Sequence, residues 1–141
     1  MTDLEIAKLH LTGHSICLCK EGDILTDDSK GIAPMMKMIA EGRNLRGYSA
    51  ADQIVGKAAA MLFVKAGITA VFGNVMSEAA YNYLTQHGIT ADSNTRTEKI
   101  INRQGTDICP MEKTVAAIED AEAGYAALCQ KIAELRRQQK P

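Results

Sequence analysis

The chain has 141 residues, with no Trp, four Tyr and two Phe. A core centred on aromatic side chains is therefore excluded, and Ala, Ile, Leu, Val and Met must fill it. An excess of positive charge is also missing: net charge is −1 and the pI about 6.3. A broad electrostatic nucleic-acid surface needs such an excess, so nucleic acid is not an expected partner. The only basic cluster is the terminal "RRQQKP", a solvated helix end where cations are favoured. No apolar run approaches the roughly 20 residues of a membrane span. The opening "MTDLEIAKLHLTG" is mixed and acidic, unlike a signal peptide. Together these predict a cytoplasmic protein without a membrane partner. There is no C-x-x-C and no H-x-x-x-H among the four Cys and three His. Cys17 and Cys19 are too close in the chain for easy disulfide geometry. In a cytosolic chain Cys17, Cys19, Cys109 and Cys129 read as free thiols, and neither a metal nor another cofactor is expected.

What remains is a globular composition, 46% hydrophobic, of a length that suits one domain over residues 1–141. A domain this size buries roughly 68–70% of its unfolded surface. Residues 2–10 read as a short helix. "HSICLCKEGDILTDDS" reads as a hairpin with "KEGD" as its turn, Ile16 and Leu18 on one face and Cys17 and Cys19 on the other. His14 is expected at the surface. "SKGIAPMMKMIAEG" is a helix with Pro34 in its first turn, Gly42 as its stop and a Met stripe directed at the core. "RNLRGYS" is a polar link. "SAADQIVGKAAAMLFVKAG" reads as one long buried helix, with Ser49 and Asp52 as a capping pair and Gly67 as its end. "ITAVFGNV" is a continuous apolar strand, typical of a sheet covered on both faces. "SEAAYNYLTQHG" is a helix capped by Ser77 and stopped by Gly88, with His87 placed to meet the helix dipole. "TRTEKIINR" is a further strand. Pro110 to about Gln138 is helical, with a break near Glu119-Asp120 where Asp120 caps a second helix. This order implies a mixed sheet in an α/β layered domain.

Four places could carry chemistry. Lys57 lies inside the most apolar segment, beside Gly56, whose missing side chain suggests close approach by another backbone or a ligand. Such a lysine can bind a phosphate or carboxylate; its alternative is a snorkelling side chain at a helix edge. Cys109 precedes Pro110. The reading that needs no chemistry makes Cys109 an N-cap, Pro110 the first helical residue and Glu112 the N3 residue reaching back to the Cys109 N–H. The functional reading makes Cys109 a thiolate nucleophile stabilised by the same helix start, or a residue lining a ligand. Asn102 and Arg103, with Gly105 and Thr106, form a loop whose arginine could fork onto an anion. Ser77 and Glu78 follow a buried strand, where α/β sheets bind ligands.

"ADQIVGKAAAMLFVKAGITAVFGNVMSEAAYNYLTQHGI" together with "IINRQGTDICPME" resembles family 1893 of the domains of unknown function, from about Gly13 to Tyr125. "VGKAAA" and "NRxGxxxCPME" are the distinctive pieces. The resemblance implies a small, mostly bacterial protein with a cytidine-deaminase-like fold: three α-β-α layers around a mixed sheet. Zinc deaminases place H-x-E at one helix start and P-C-x-x-C at the next. The corresponding stretches here are "ADQIVGK" and "MSEAA", with no His and no Cys, so zinc-hydroxide deamination is not expected. What the resemblance does imply is a location, the cleft between those two helix starts. Asp52, Lys57, Ser77 and Glu78 would lie near it. The "NRxGxxxCPME" loop would close over it and gather Lys57, Arg103 and Cys109 at one pocket.

Three readings follow. The first is a non-zinc domain that binds a small anionic ligand, nucleotide-like or ADP-ribose-like. The second is an enzyme that uses Cys109 with Lys57 or Glu78 assisting. The third is an interaction or regulatory module that self-associates as a homo-oligomer.

Overall fold

The computed structural model describes residues 1–102 and 105–139. Helix α1, Asp3–His10, opens with a capping box: the Thr2 hydroxyl accepts from the Glu5 N–H at 3.1 Å, and the Glu5 carboxylate accepts from the Thr2 N–H at 3.1 Å. Strands β1, Ile16–Lys20, and β2, Asp23–Asp27, form the expected hairpin. Its turn places Glu21 at φ 49° and Gly22 at φ 86°, the paired positive angles that match the twist of a two-residue hairpin. Helix α2, Ala33–Ala40, carries Pro34 in its first turn and buries Met35 and Met38.

The segment read as one long helix is two elements. Residues Ser49–Val55 form strand β3, and helix α3 runs Lys57–Ala66, with Gly56 between them. Ala50 and Ala51 have high helix propensity, but β3 lies between β1 and β4, and tertiary pairing overrides so small a local preference. Ser49 and Asp52 are therefore strand residues, not caps. Strand β4, Ala70–Ser77, leads into helix α4, Glu78–Gln86. Ser77 caps α4 as expected, its hydroxyl accepting from the Ala80 N–H at 3.0 Å.

Strand β5 is Thr90–Thr97, not the expected 95–103. Its sequence "TADSNTRT" is polar because it is an edge strand with little buried surface. The apolar Ile101 downstream makes only one isolated bridge, to Ile108. Helices α5, Pro110–Val115, and α6, Ala121–Gln139, flank the expected break, and Asp120 accepts from the Ala123 N–H at 2.9 Å.

The sheet order is β2-β1-β3-β4-β5; β1 is antiparallel to both neighbours, and β3, β4 and β5 are parallel. The architecture is a mixed α/β layering, as expected. One face carries the main core, in which Ile16, Leu18, Val55, Val71 and Met76 meet side chains of α2 to α6. Among the described helices only α1 covers the other face, where Ala7 and Leu11 pack on Cys17, Cys19, Ala51 and Phe72. Strands β3 and β4 each lead at their carboxyl ends directly into a helix, α3 and α4, on the crowded face. No described helix is long and apolar enough to cross a membrane.

Candidate functional site: the cleft at the carboxyl ends of β3 and β4

Lys57 is the first residue of α3, not an interior residue of one long helix, and is 8% exposed. Its Nζ donates to the Ala116 carbonyl at 3.1 Å and to Glu119 Oε1 at 3.2 Å. The ammonium also stands 5.9 Å from the centre of the Tyr83 ring. Lys57 is buried while Glu119 is largely in solvent, with side-chain exposures of 10% and 76%. The Tyr83 hydroxyl donates to the Glu119 carbonyl at 2.7 Å, which fixes the backbone of that turn. Burial pushes the Tyr83 phenol up from its ordinary value, with the Glu119 charge adding to the shift.

Glu112 does not return to its own helix start. Its Oε1 accepts from the Lys57 N–H at 2.7 Å and its Oε2 from the Ala58 N–H at 2.8 Å, so it caps α3. The Cys109 N–H instead donates to the Ile100 carbonyl at 2.9 Å. A capping box is a local pattern, and here the orphan amides of a buried neighbouring helix out-compete it. Burial raises the Glu112 carboxyl above its ordinary value, while the amides of Ala58 and Lys57 and the Lys57 charge pull it back.

These groups border a cleft of about 330 Å³. Lys57, Ser77 and Glu112 line it together with Tyr83, Asn82 and Gln86 of α4 and with Ile100, Ile108, Ala116 and Glu119. Of the residues expected at the site, Lys57 and Ser77 line it. Asp52 lies farther back in β3, 7% exposed, and does not line it. Glu78 turns away to Arg96, at 3.3 Å. Asn102 builds a turn, its N–H on the Asp107 carbonyl at 2.8 Å and its Oδ1 accepting from the Thr106 N–H at 3.0 Å. Cys109 is half-buried at the N-cap of α5 and is not part of the wall, although Ile108 before it is. Arg103 lies outside the described residues. From the "NRxGxxxCPME" stretch Ile108 and Glu112 line the cleft, and farther along the chain Ala116 and Glu119 do so too. Tyr83 and Glu119 carry no local sequence signal for this role; for Glu112 the signal was Gly56, the gap it fills.

The family model for the domain of unknown function DUF1893 matches residues 5–132. The chain belongs to the DUF1893 family. A crystal structure of a DUF1893 family protein (TM1506) from Thermotoga maritima superposes with a TM-score of 0.83 at 22% identity, covering 93% of this chain and 91% of that one. That likeness is one of fold. The apo dCMP deaminase of the cyanophage S-TIM5 matches with a TM-score of 0.45 at 14% identity, over 64% of this chain and 92% of that one. No curated protein matches the chain.

The zinc of deaminases does not fit this DUF1893 site. The two helix starts present Gly56-Lys57-Ala58 and Ser77-Glu78-Ala79, with no His or Cys to supply zinc ligands. Among the described residues, no three His, Cys, Asp or Glu side chains come together to hold a metal ion.

Proposed function

We propose that this DUF1893 domain binds a small anionic molecule of nucleotide-like size in the cleft at the ends of β3 and β4. The observation that carries the reading is Lys57: a nearly buried ammonium lining the cleft whose carboxylate partner, Glu119, is mostly in solvent. Glu119 reaches the ammonium from solvent, so a ligand phosphate or carboxylate can take its place while keeping the buried charge paired. The Ala116 carbonyl would stay as the fixed partner of Nζ. Tyr83, Ile100 and Ile108 offer flat and apolar surface, and Ser77, Asn82 and Gln86 offer hydrogen bonds, the mixture usual in small-molecule sites. The volume suits one compact ligand, at the lower end of the range such sites span.

The test is a thermal-shift panel of nucleoside monophosphates, nucleoside diphosphates and ADP-ribose at low salt, followed by titration of any hit. A nucleotide should raise the melting temperature, and Lys57→Met should weaken its binding by roughly 10- to 100-fold, the worth of one charge-assisted contact. The reading is abandoned if no compound shifts the wild-type protein, or if Lys57→Met binds a hit as well as wild type does.

A further inference from the structure

Gly56 has φ −102° and ψ −178°, extended backbone that any residue adopts. Its conformation therefore does not require glycine; its surroundings do. A Cβ at this position would lie 2.3 Å from Glu112 Oε1, 2.5 Å from the carboxyl carbon and 2.7 Å from Oε2. The missing side chain is the space into which the Glu112 carboxylate fits. From there the chain runs through Val115, which is fully buried and ends α5, to Ala116, whose carbonyl receives Lys57, and Glu119, whose carbonyl receives Tyr83.

We propose that Glu112 is a positioning residue of the cleft. It is an anion built into the chain that fills the N-terminus of α3, which would otherwise attract anions. By doing so it holds Ala116 and Glu119 against Lys57. An incoming anion then meets the lysine ammonium and not the helix amides. A second role follows from charge. A lysine at the first position of a helix stands at the positive end of the dipole, and the carboxylate offsets that repulsion. The functional part of this inference rests on Lys57 being the ligand contact; the tie itself is tested without that ligand, so the two can fail separately.

The experiment compares wild type with Glu112→Ala, Glu112→Gln and Gly56→Ala, using thermal melts in sodium formate or sodium chloride of equal ionic strength and amide ¹H–¹⁵N spectra. Glu112→Ala should lower Tm by roughly 5–10 °C, the loss of two charge-assisted bonds in a domain of this size. Formate should restore part of this loss in a saturable way, by seating a carboxylate in the vacated space, and chloride should not. Gly56→Ala should lose comparable stability and gain nothing from formate, because its Cβ fills the seat. In Glu112→Gln, which offers one acceptor and turns an NH₂ towards the second N–H, the Lys57 or Ala58 amide signal should move strongly. Inorganic phosphate should perturb those two signals in Glu112→Ala but not in wild type. The inference is overturned if formate helps Glu112→Ala no more than chloride does, or if phosphate moves both amides equally in wild type. Should Glu112→Ala not fold, unmoved Lys57 and Ala58 signals in Glu112→Gln overturn it equally.

Discussion

At the scale of single residues, the four thiols differ by burial and setting. Cys129 is exposed, Cys109 half-buried, and Cys17 and Cys19 buried. Burial raises the thiols of both Cys17 and Cys19, and the neighbouring Asp3 charge adds to the shift at Cys19. Since the thiolate is the reactive form, a thiol probe under native conditions should label Cys129 first and Cys109 more slowly. Cys17 and Cys19 should react only on unfolding. A Cys109 that outpaces Cys129 would revive the nucleophile reading, because its position at the start of a six-residue helix gives no geometric reason for such speed. The histidines have ordinary roles: His14 Nδ1 lies 2.6 Å from the exposed Asp28 carboxylate, and His87 closes α4 with Nδ1 2.8 Å from the Tyr83 carbonyl.

At the scale of elements, punctuation separates what was legible in the sequence from what was not. The hairpin, α2, α4 and the break before α6 carry caps, turn residues and stop glycines, all local signals, and the structure has each of them. Strand β3 carries none: an alanine-rich segment became a strand because β1 and β4 flank it. Strand β5 was misplaced because an exposed edge does not need apolar alternation. The same division holds in the cleft. Gly56 marked a close approach, so Lys57 could be singled out, but the group that approaches it comes from a helix much later in the chain. Local spacing offered Glu112 only its own helix start.

Glycines within the elements make a paired prediction. A Cβ on Gly73 in β4 would lie 2.9 Å from Val55 Cγ2 and 3.1 Å from the Val75 carbonyl oxygen, inside the sheet. A Cβ on Gly124 in α6 would meet the Met61 Cε at 2.5 Å and Sδ at 2.8 Å, the far end of a flexible side chain. Gly73→Ala should therefore cost about 1–3 kcal/mol by overpacking. Gly124→Ala should stay within about 1 kcal/mol of wild type, because the alanine's helix propensity offsets the shift of Met61. Urea unfolding of both variants checks the order, and an equal cost would mean that Met61 has no room to move.

At the scale of the whole molecule, the balance of buried and exposed carboxyls sets how stability responds to pH. Asp52 pairs with Ile16 of β1 and Gly73 of β4 inside the sheet. Burial pushes its carboxyl from 3.8 up to about 7, against weak help from the Ile54 and Gln53 amides, the first at 3.4 Å. The folded state therefore holds this proton more tightly than the unfolded chain does. Its contribution is fully present below about pH 4 and is lost as pH rises towards 7, by about 4 kcal/mol in total. Glu112 is shifted in the same direction by burial, so its contribution is likewise present below its unfolded value and lost as pH rises through its folded one. The opposite shifts, at Glu5 from the Thr2 amide, at Asp27 from the Ser29 amide and at Asp107 from Lys113, belong to groups near the surface, where solvent screens them. Stability from urea unfolding should therefore fall between about pH 4 and pH 7, a range over which an ordinary domain approaches its maximum. Asp52→Asn keeps the shape without the titration. It should flatten most of that fall and be more stable than wild type at the alkaline end. An Asp52→Asn curve parallel to wild type would show that the Asp52 carboxylate reaches solvent in the folded state.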